Sequence, residues 1–218
     1  MALNCFLVVE LLLYVVCFFC GIVTAASVAI TQGEFAGKCI LYGTVHLNGT
    51  NLTIEYPSSQ SLCYFVTTIS VCVAVYCFSL ALCCCYIVCV PVSPRGQIWM
   101  CVTLLVSGVF SFFLLVTGCV LRFGRNRLCE SIISLPGITR CEEAQDKPWS
   151  APYVGTRFFS NLHGAETSVW VNFFFWLLIV TTVVIQRRRG SEFTARGEDP
   201  SASPSETEPF FPGRTRPQ

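Results

Sequence analysis

The amino-acid sequence predicts an all-α membrane protein in which four transmembrane helices form a bundle. Four long apolar stretches hold nearly all of the hydrophobic residues, and they are Leu3–Ala29, Leu62–Val90, Ile98–Val120 and Val169–Ile185. A helix needs roughly 17 to 25 apolar residues to cross a bilayer, so each stretch is long enough. The composition agrees, because 53% of the residues are hydrophobic and only 12% are charged, whereas a soluble domain carries about 25% charged residues.

The polar remainder divides the chain into a membrane domain and a tail. We predict a four-span domain over residues 1–185, with two longer lumenal loops at 30–61 and 121–168. Residues 186–218 are dominated by Pro, Ser, Glu, Gly and Arg, a composition typical of disorder. The net charge of +1 gives no electrostatic basis for binding nucleic acid.

The first stretch carries an acidic residue, Glu10, well inside its apolar run. At 100° per residue, Glu10, Tyr14, Cys17 and Gly21 fall on one helix face, and small residues on that face permit close helix packing. We therefore expect Glu10 to point into the bundle and to fix helix pairing. A proton or ion pathway is the alternative, since charged residues inside membranes are often functional.

A cleaved signal peptide is a second interpretation of the first stretch, with Val23-Thr24-Ala25 as a possible cleavage site. Signal peptides begin with basic residues and have a shorter apolar core. This stretch lacks the basic start and its apolar run is longer, so a retained span is favoured.

The orientation cannot be read from basic residues alone. With cytoplasmic termini, the 14 lysines and arginines divide equally between the two sides, so the positive-inside rule gives a tie. Two glycosylation sequons in the first loop, at Asn48 and Asn51, can be used only on the lumenal side. Together with the loop cysteines, they favour cytoplasmic termini.

Cysteines occur in both longer loops and at the end of the second stretch. An oxidising compartment would favour disulfides among four of them: Cys39, Cys63, Cys129 and Cys141. Four cysteines allow three connectivities; we favour Cys39–Cys63 with Cys129–Cys141. Juxtamembrane cysteines are candidates for palmitoylation, and four lie beside the short link 91–97: Cys83, Cys84, Cys85 and Cys89. The simpler interpretation is that these are small apolar fillers.

No set of residues predicts catalysis or a bound cofactor. His163 and Glu166 stand about one helical turn apart before the fourth stretch, but acid–base or metal chemistry would need further ligands or a nucleophile nearby. The better interpretation is a solvent-exposed start of the fourth helix, with Thr167 and Ser168 as N-caps. We expect no enzyme activity, no metal and no cofactor.

Several stretches resemble a known family of four-span proteins. They are residues 31–43, 61–66, 122–124, 128–135, 141–145, 148–149 and 159–172. This combination resembles the transmembrane protein 179 family over roughly residues 1–185. The resemblance implies a four-span membrane protein without an established biochemical activity, and it supplies no catalytic or cofactor residues.

Two other four-span families are expected to be excluded. Tetraspanins carry a Cys-Cys-Gly motif in the second lumenal loop, and this loop has none. Claudins carry a tryptophan with paired cysteines in the first loop, whereas no tryptophan precedes Trp99.

The functional hypothesis is a non-enzymatic interaction, accessory or trafficking protein in the plasma membrane or a secretory-pathway vesicle membrane. Its expected partners are the lipid bilayer and either another membrane protein or further copies of itself. A small oligomeric channel or transporter using Glu10 is the alternative, although the spans offer few polar residues to line a pore.

Overall fold

A computed structural model describes residues 2–89 and 97–197 of the chain. The elements in order are α1 (Ala2–Glu34), β1 (Cys39–Asn48), β2 (Asn51–Ser58), α2 (Gln60–Cys89), α3 (Gln97–Ile133), a short 3₁₀ helix (Cys141–Gln145) and α4 (Phe158–Gly197). The prediction of four spans is confirmed, because α1 to α4 are each long and apolar enough to cross a membrane.

The helices extend well beyond the apolar stretches that predicted them. α3 ends at Ile133 rather than near residue 120, and α4 begins at Phe158 rather than near residue 169. A helix bonds its own backbone in water as well as in lipid, so a fall in hydropathy does not end it. Thr167 and Ser168, expected as N-caps, consequently lie inside α4.

The predicted tail also begins later than expected. α4 continues to Gly197, so residues 186–197 are helical, and the disorder predicted from residue 186 is wrong for this part. Arg, Glu and Ala in this segment are favourable helix formers. The rest of the predicted tail, 198–218, lies outside the described residues, as does the predicted short link between the second and third spans.

The first loop contains an antiparallel two-stranded sheet that was not predicted. β1 pairs with β2 from Val45 opposite Ile54 to Asn48 opposite Asn51, with an irregular register near Tyr42. Together with the 3₁₀ helix, this sheet forms a layer at one end of the bundle, which we call the cap (residues 35–59 and 134–157). The start of α1 and the end of α4 lie at the opposite end.

The bundle is held mainly by α1, which packs against both α2 and α4, while α3 packs against α4 and β1. α1 contributes Tyr14, Cys17 and Val28 to the buried core, which favours a retained span over a cleaved signal peptide. At Gly21 the helices are so close that a Cβ atom would lie 2.9 Å from the carbonyl oxygen of Ser70. The described outward side chains of the spans are mostly apolar and contact the lipid bilayer.

Candidate functional site: the cap and a buried membrane acid

The tip of the cap is the turn between β1 and β2. Gly49 has a φ of +66°, and glycine at the first central position suits a two-residue hairpin turn. Both sequons lie at this turn: Asn48 is exposed, whereas Asn51 is partly buried and accepts a hydrogen bond from the Thr50 hydroxyl at 3.4 Å. The structure therefore makes Asn48 the more accessible acceptor.

Two disulfides brace the cap with the connectivity that the sequence favoured. Cys39 bonds to Cys63 with a Cα–Cα distance of 5.8 Å, and Cys129 bonds to Cys141 with a Cα–Cα distance of 5.1 Å. The first closes the loop that contains the whole sheet, and the second joins the last turns of α3 to the 3₁₀ helix. The hairpin and the 3₁₀ helix are thus each tied to a spanning helix.

The second loop joins the sheet through main-chain hydrogen bonds. The Leu52 N–H donates to the Pro148 carbonyl at 2.9 Å, and the Ser150 N–H donates to the Leu52 carbonyl at 2.9 Å. Beside this junction, Trp149 packs edge-on against Phe35 and Phe158, with ring centroids 5.1 and 5.6 Å apart. This aromatic cluster seals the base of the cap and was not predicted from the sequence.

The 3₁₀ helix is capped by an acidic side chain, Glu143. Its carboxylate accepts hydrogen bonds from the N–H and the hydroxyl of Thr139, each at 2.9 Å, and from the N–H of Arg140 at 3.3 Å. These bonds, led by the one from the Thr139 backbone, hold the pKa of Glu143 below its usual value of 4.5. The cap therefore keeps this negative charge in a mildly acidic compartment.

A charged group joins α3 to α4 just below the cap. Glu166 is 4% exposed. Its carboxylate forms ion pairs with Arg122 Nη1 at 2.9 Å and with Arg125 Nη2 at 2.9 Å. Arg125 Nη1 also lies 2.8 Å from His163 Nδ1. We predicted a solvent-exposed helix start at His163 and Glu166. This is right for His163, which is exposed. It is wrong for Glu166, whose buried carboxylate faces two arginines that lie one turn apart on α3.

The structure places Glu10 inside the bundle. Its side chain is 1% exposed and accepts a hydrogen bond from the Tyr14 hydroxyl at 3.1 Å, one turn along α1. Tyr14 is also within electrostatic range of Tyr76 and Cys84 on α2. The acid thus belongs to a polar contact between α1 and α2, in the half of the bundle away from the cap.

The cysteines near the end of α2 divide into two groups. Cys83 and Cys85 have exposed side chains, whereas Cys84 is buried in the core. Cys89 is the last residue of α2, and its side chain lies outside the described ones. Burial makes Cys84 unsuitable for acylation, so two of the four candidates fit that modification best.

We expect that replacing Cys83 and Cys85 together with serine will remove most acyl–resin capture or acyl-to-polyethylene-glycol exchange on a membrane-expressed chain. The reason is that acylation needs an accessible juxtamembrane thiol, and these two side chains are exposed. Cys84→Ser is the matched control, and it should leave the signal unchanged. Loss of acylation in Cys84→Ser alone would contradict this assignment.

Within the described ranges 2–89 and 97–197, no three His, Cys, Asp or Glu side chains come together in a way that could hold a metal ion. An open cleft of about 510 Å³ lies between β1 and α3 at the cap end of the bundle, and it is lined by Tyr42, Gly43, Thr44, Arg127, Glu130, Ser131 and Ser134.

Four spanning helices under a disulfide-braced cap define a multi-pass integral membrane protein. The chain belongs to the family described as the transmembrane protein 179/179B claudin domain, whose sequence model matches residues 6–211. The resemblance noted from the sequence is therefore confirmed, and it extends past residue 185, where we expected it to end.

Curated relatives agree with this assignment. The chain is 60% identical to transmembrane protein 179B of Danio rerio over 98% of its own length and all of the relative. It is 48% identical to transmembrane protein 179B of Homo sapiens over 79% of this chain and 78% of that one, and 46% identical to the Mus musculus protein over 75% of each. No solved structure matches the chain.

The expectation that claudins are excluded is wrong at the level of the domain, since the matching family is described as a claudin domain. The absence of a tryptophan before Trp99 carried that expectation. One aromatic position does not decide the fold, because helix packing and the Cys39–Cys63 disulfide hold the first loop here. An aromatic ring for the base of the cap comes instead from Trp149 in the second loop.

Proposed function

We propose that this is a non-enzymatic interaction or accessory protein that binds another membrane protein, or a further copy of itself, through the cap. The observation that carries this proposal is the rigid construction of the cap around an open cleft. Two disulfides, the junction at Leu52 and the aromatic cluster at Trp149 fix a small extramembrane surface in one shape. A pre-organised surface loses less conformational entropy on binding a partner.

The cleft has the chemistry of a protein contact. Tyr42, held at a φ of +62° by the irregular part of β1, presents a ring that is 39% exposed. Arg127 and Glu130 on α3 form an exposed ion pair at 3.3 Å on the other wall. Tyrosine and arginine are enriched at protein interfaces, and the open shape suits a protein surface better than an enclosed small molecule.

The buried position of Glu10 weighs against the channel alternative. A pore between copies of the chain would need this carboxylate on the outer surface, but it is 1% exposed and bonded to Tyr14 within one chain. The described outward side chains of the spans are mostly apolar, and the exposed hydroxyls of Ser79 and Thr181 donate to the backbone of their own helices, so an assembly of copies would have little polar lining. A role for Glu10 in joining α1 to α2 accounts for its position.

We also propose that the cap is lumenal or extracellular and that both termini are cytoplasmic, in the plasma membrane or a secretory-pathway vesicle membrane. Both disulfides and both sequons lie at the same end of the bundle. Disulfides persist in oxidising compartments, and N-glycosylation is restricted to the lumenal side. Two independent chemical signals therefore support one orientation.

This orientation predicts an N-glycan on Asn48. A chain expressed in mammalian cells should run faster after peptide-N-glycosidase treatment, and Thr50→Ala should abolish that shift, since it removes only the first sequon. Thr53→Ala, which removes only the second, should retain it because Asn51 is the less exposed acceptor. An untreated chain without a glycan, whose cap is labelled by reagents confined to the cytosol, would contradict the proposed orientation.

The interaction proposal is tested by affinity purification in native-lipid discs with quantitative mass spectrometry. We expect a stoichiometric partner, or a defined oligomer, that is lost in Arg127→Glu, because this change replaces the balanced ion pair on one wall of the cleft with two negative charges. Arg140→Glu is the matched control, since Arg140 lies outside the cleft and is also an exposed arginine in a surface ion pair, at 3.4 Å from Glu142. A chain that remains alone, or a partner that is indifferent to Arg127→Glu, would overturn the proposal.

A further inference from the structure

A second cleft lies at the opposite end of the bundle, between α3 and α4. It encloses about 360 Å³ and is lined by Leu104 from α3 and by Val184, Arg187 and Arg188 from α4. Its walls thus combine aliphatic side chains with two guanidinium groups. Such a combination differs from that of the cap cleft, where the single arginine is balanced by a glutamate.

The helical conformation beyond residue 185 creates this cleft. Val184, Arg187 and Arg188 are spaced i, i+3 and i+4, so they share one face of α4. Because α4 continues to Gly197, the two arginines lie on an ordered helix rather than at the start of a tail. Their face is turned towards Leu104, two turns into α3.

The two arginines of this cleft are not paired with any of the acidic side chains that the structure describes. The ion pairs of Glu166, Glu130 and Glu142 lie at the cap end of the bundle, away from this cleft. Arg187 and Arg188 have exposed side chains, and the described side chains, which end at residue 188 on α4, offer them no acidic partner. Two adjacent positive charges therefore stand at the membrane edge, directly beyond the apolar part of the span.

We propose that this cleft binds an anionic phospholipid. The phosphate lies between the guanidinium groups of Arg187 and Arg188, and the start of an acyl chain packs on Leu104 and Val184. Guanidinium groups match phosphate oxygens through paired hydrogen bonds, and basic pockets between spanning helices bind lipid headgroups. A basic cluster at the end of a spanning helix attracts anionic lipids diffusely, whereas this site holds one lipid between two helices.

The test is a native mass spectrometry titration of the full chain in detergent with phosphatidic acid, with phosphatidylcholine as the neutral lipid and inorganic phosphate as the free anion. We expect one tightly retained phosphatidic acid per chain. Arg187→Gln with Arg188→Gln should weaken its binding roughly 30-fold, the effect of two surface charges. Arg140→Gln with Lys147→Gln, the same charge change at two exposed positions of the cap, should leave phosphatidic acid binding unchanged.

A charge-preserving variant separates a built site from diffuse attraction. Leu104→Trp, or Val184→Phe if the first variant unfolds, fills the cleft without altering the arginines and should weaken phosphatidic acid binding as strongly as the arginine variant does. Wild-type binding in a folded filled-cleft variant would overturn the proposal. So would displacement of the lipid by inorganic phosphate at equal concentration, which would indicate a free-anion site, or equal retention of phosphatidylcholine.

Discussion

Replacing Glu166 with glutamine is expected to lower the free energy of unfolding by about 3 kcal/mol, because removal of one partner of a buried ion pair leaves an uncompensated charge. Arg125 has a side chain that is only 12% exposed, and it would lose its counter-ion at the junction of α3 and α4. The measurement is thermal or denaturant unfolding of the detergent-solubilised chain, followed by circular dichroism.

The matched control for this prediction is Glu130→Gln. Glu130 also pairs with an arginine on α3, at 3.3 Å, but both side chains are exposed, at 72% and 70%. An exposed pair contributes at most about 1 kcal/mol, so this variant should unfold close to the wild type. Equal destabilisation by the two variants would show that burial of the Glu166 group has no energetic consequence.

The double variant Cys39→Ser/Cys63→Ser is expected to destabilise the cap by about 3.5 kcal/mol, the chain-entropy value for a loop of this length. The disulfide spans 24 residues of sequence separation and encloses both strands. A two-stranded hairpin is at best marginally stable alone, so the sheet depends on this cross-link. Hydrogen–deuterium exchange of the amides from Val45 to Ile54 should therefore accelerate in the double variant, while amides in the centre of α4 stay protected.

Cys72→Ser provides the control for this second prediction, because Cys72 is an exposed free thiol on the same helix as Cys63. Its replacement removes a sulfur atom without opening any cross-link. Unchanged exchange of the hairpin amides in the Cys39/Cys63 double variant would mean that packing, and not the disulfide, holds the sheet. Gel mobility after alkylation, with and without reduction, checks that the wild-type bond is formed.

The sequence was sufficient for the number of spans and for the inward face of α1. The hydrocarbon core of a bilayer has no hydrogen-bonding groups, so a spanning segment here must be a helix of apolar residues. The hydropathy of the sequence therefore identifies each span. It does not determine where a helix ends in water. The ion pairs of Glu166 were missed for this reason: Arg122 and Arg125 were placed in a loop, although they lie on one face of α3.

The sheet of the cap was missed although part of its signal was present. Buried Val45 alternates with exposed Thr44 and His46, which is the period of a strand. The Gly49 turn was interpreted only as part of a sequon. The contact between Leu52 and residues 148–150, like the packing of Trp149 on Phe35, joins positions about a hundred residues apart. No local pattern in a single sequence specifies such a pairing.

The order of the cross-links along the chain sets the order in which the cap can be made during synthesis. Both cysteines of the first disulfide, Cys39 and Cys63, leave the ribosome before any of the second loop exists. The hairpin can therefore be closed early, while its partner at residues 148–150 is still untranslated. Until then the backbone of Leu52 and one face of Phe35 stay uncovered, so the half-made protein exposes an unpaired strand edge that only completion of the second loop covers.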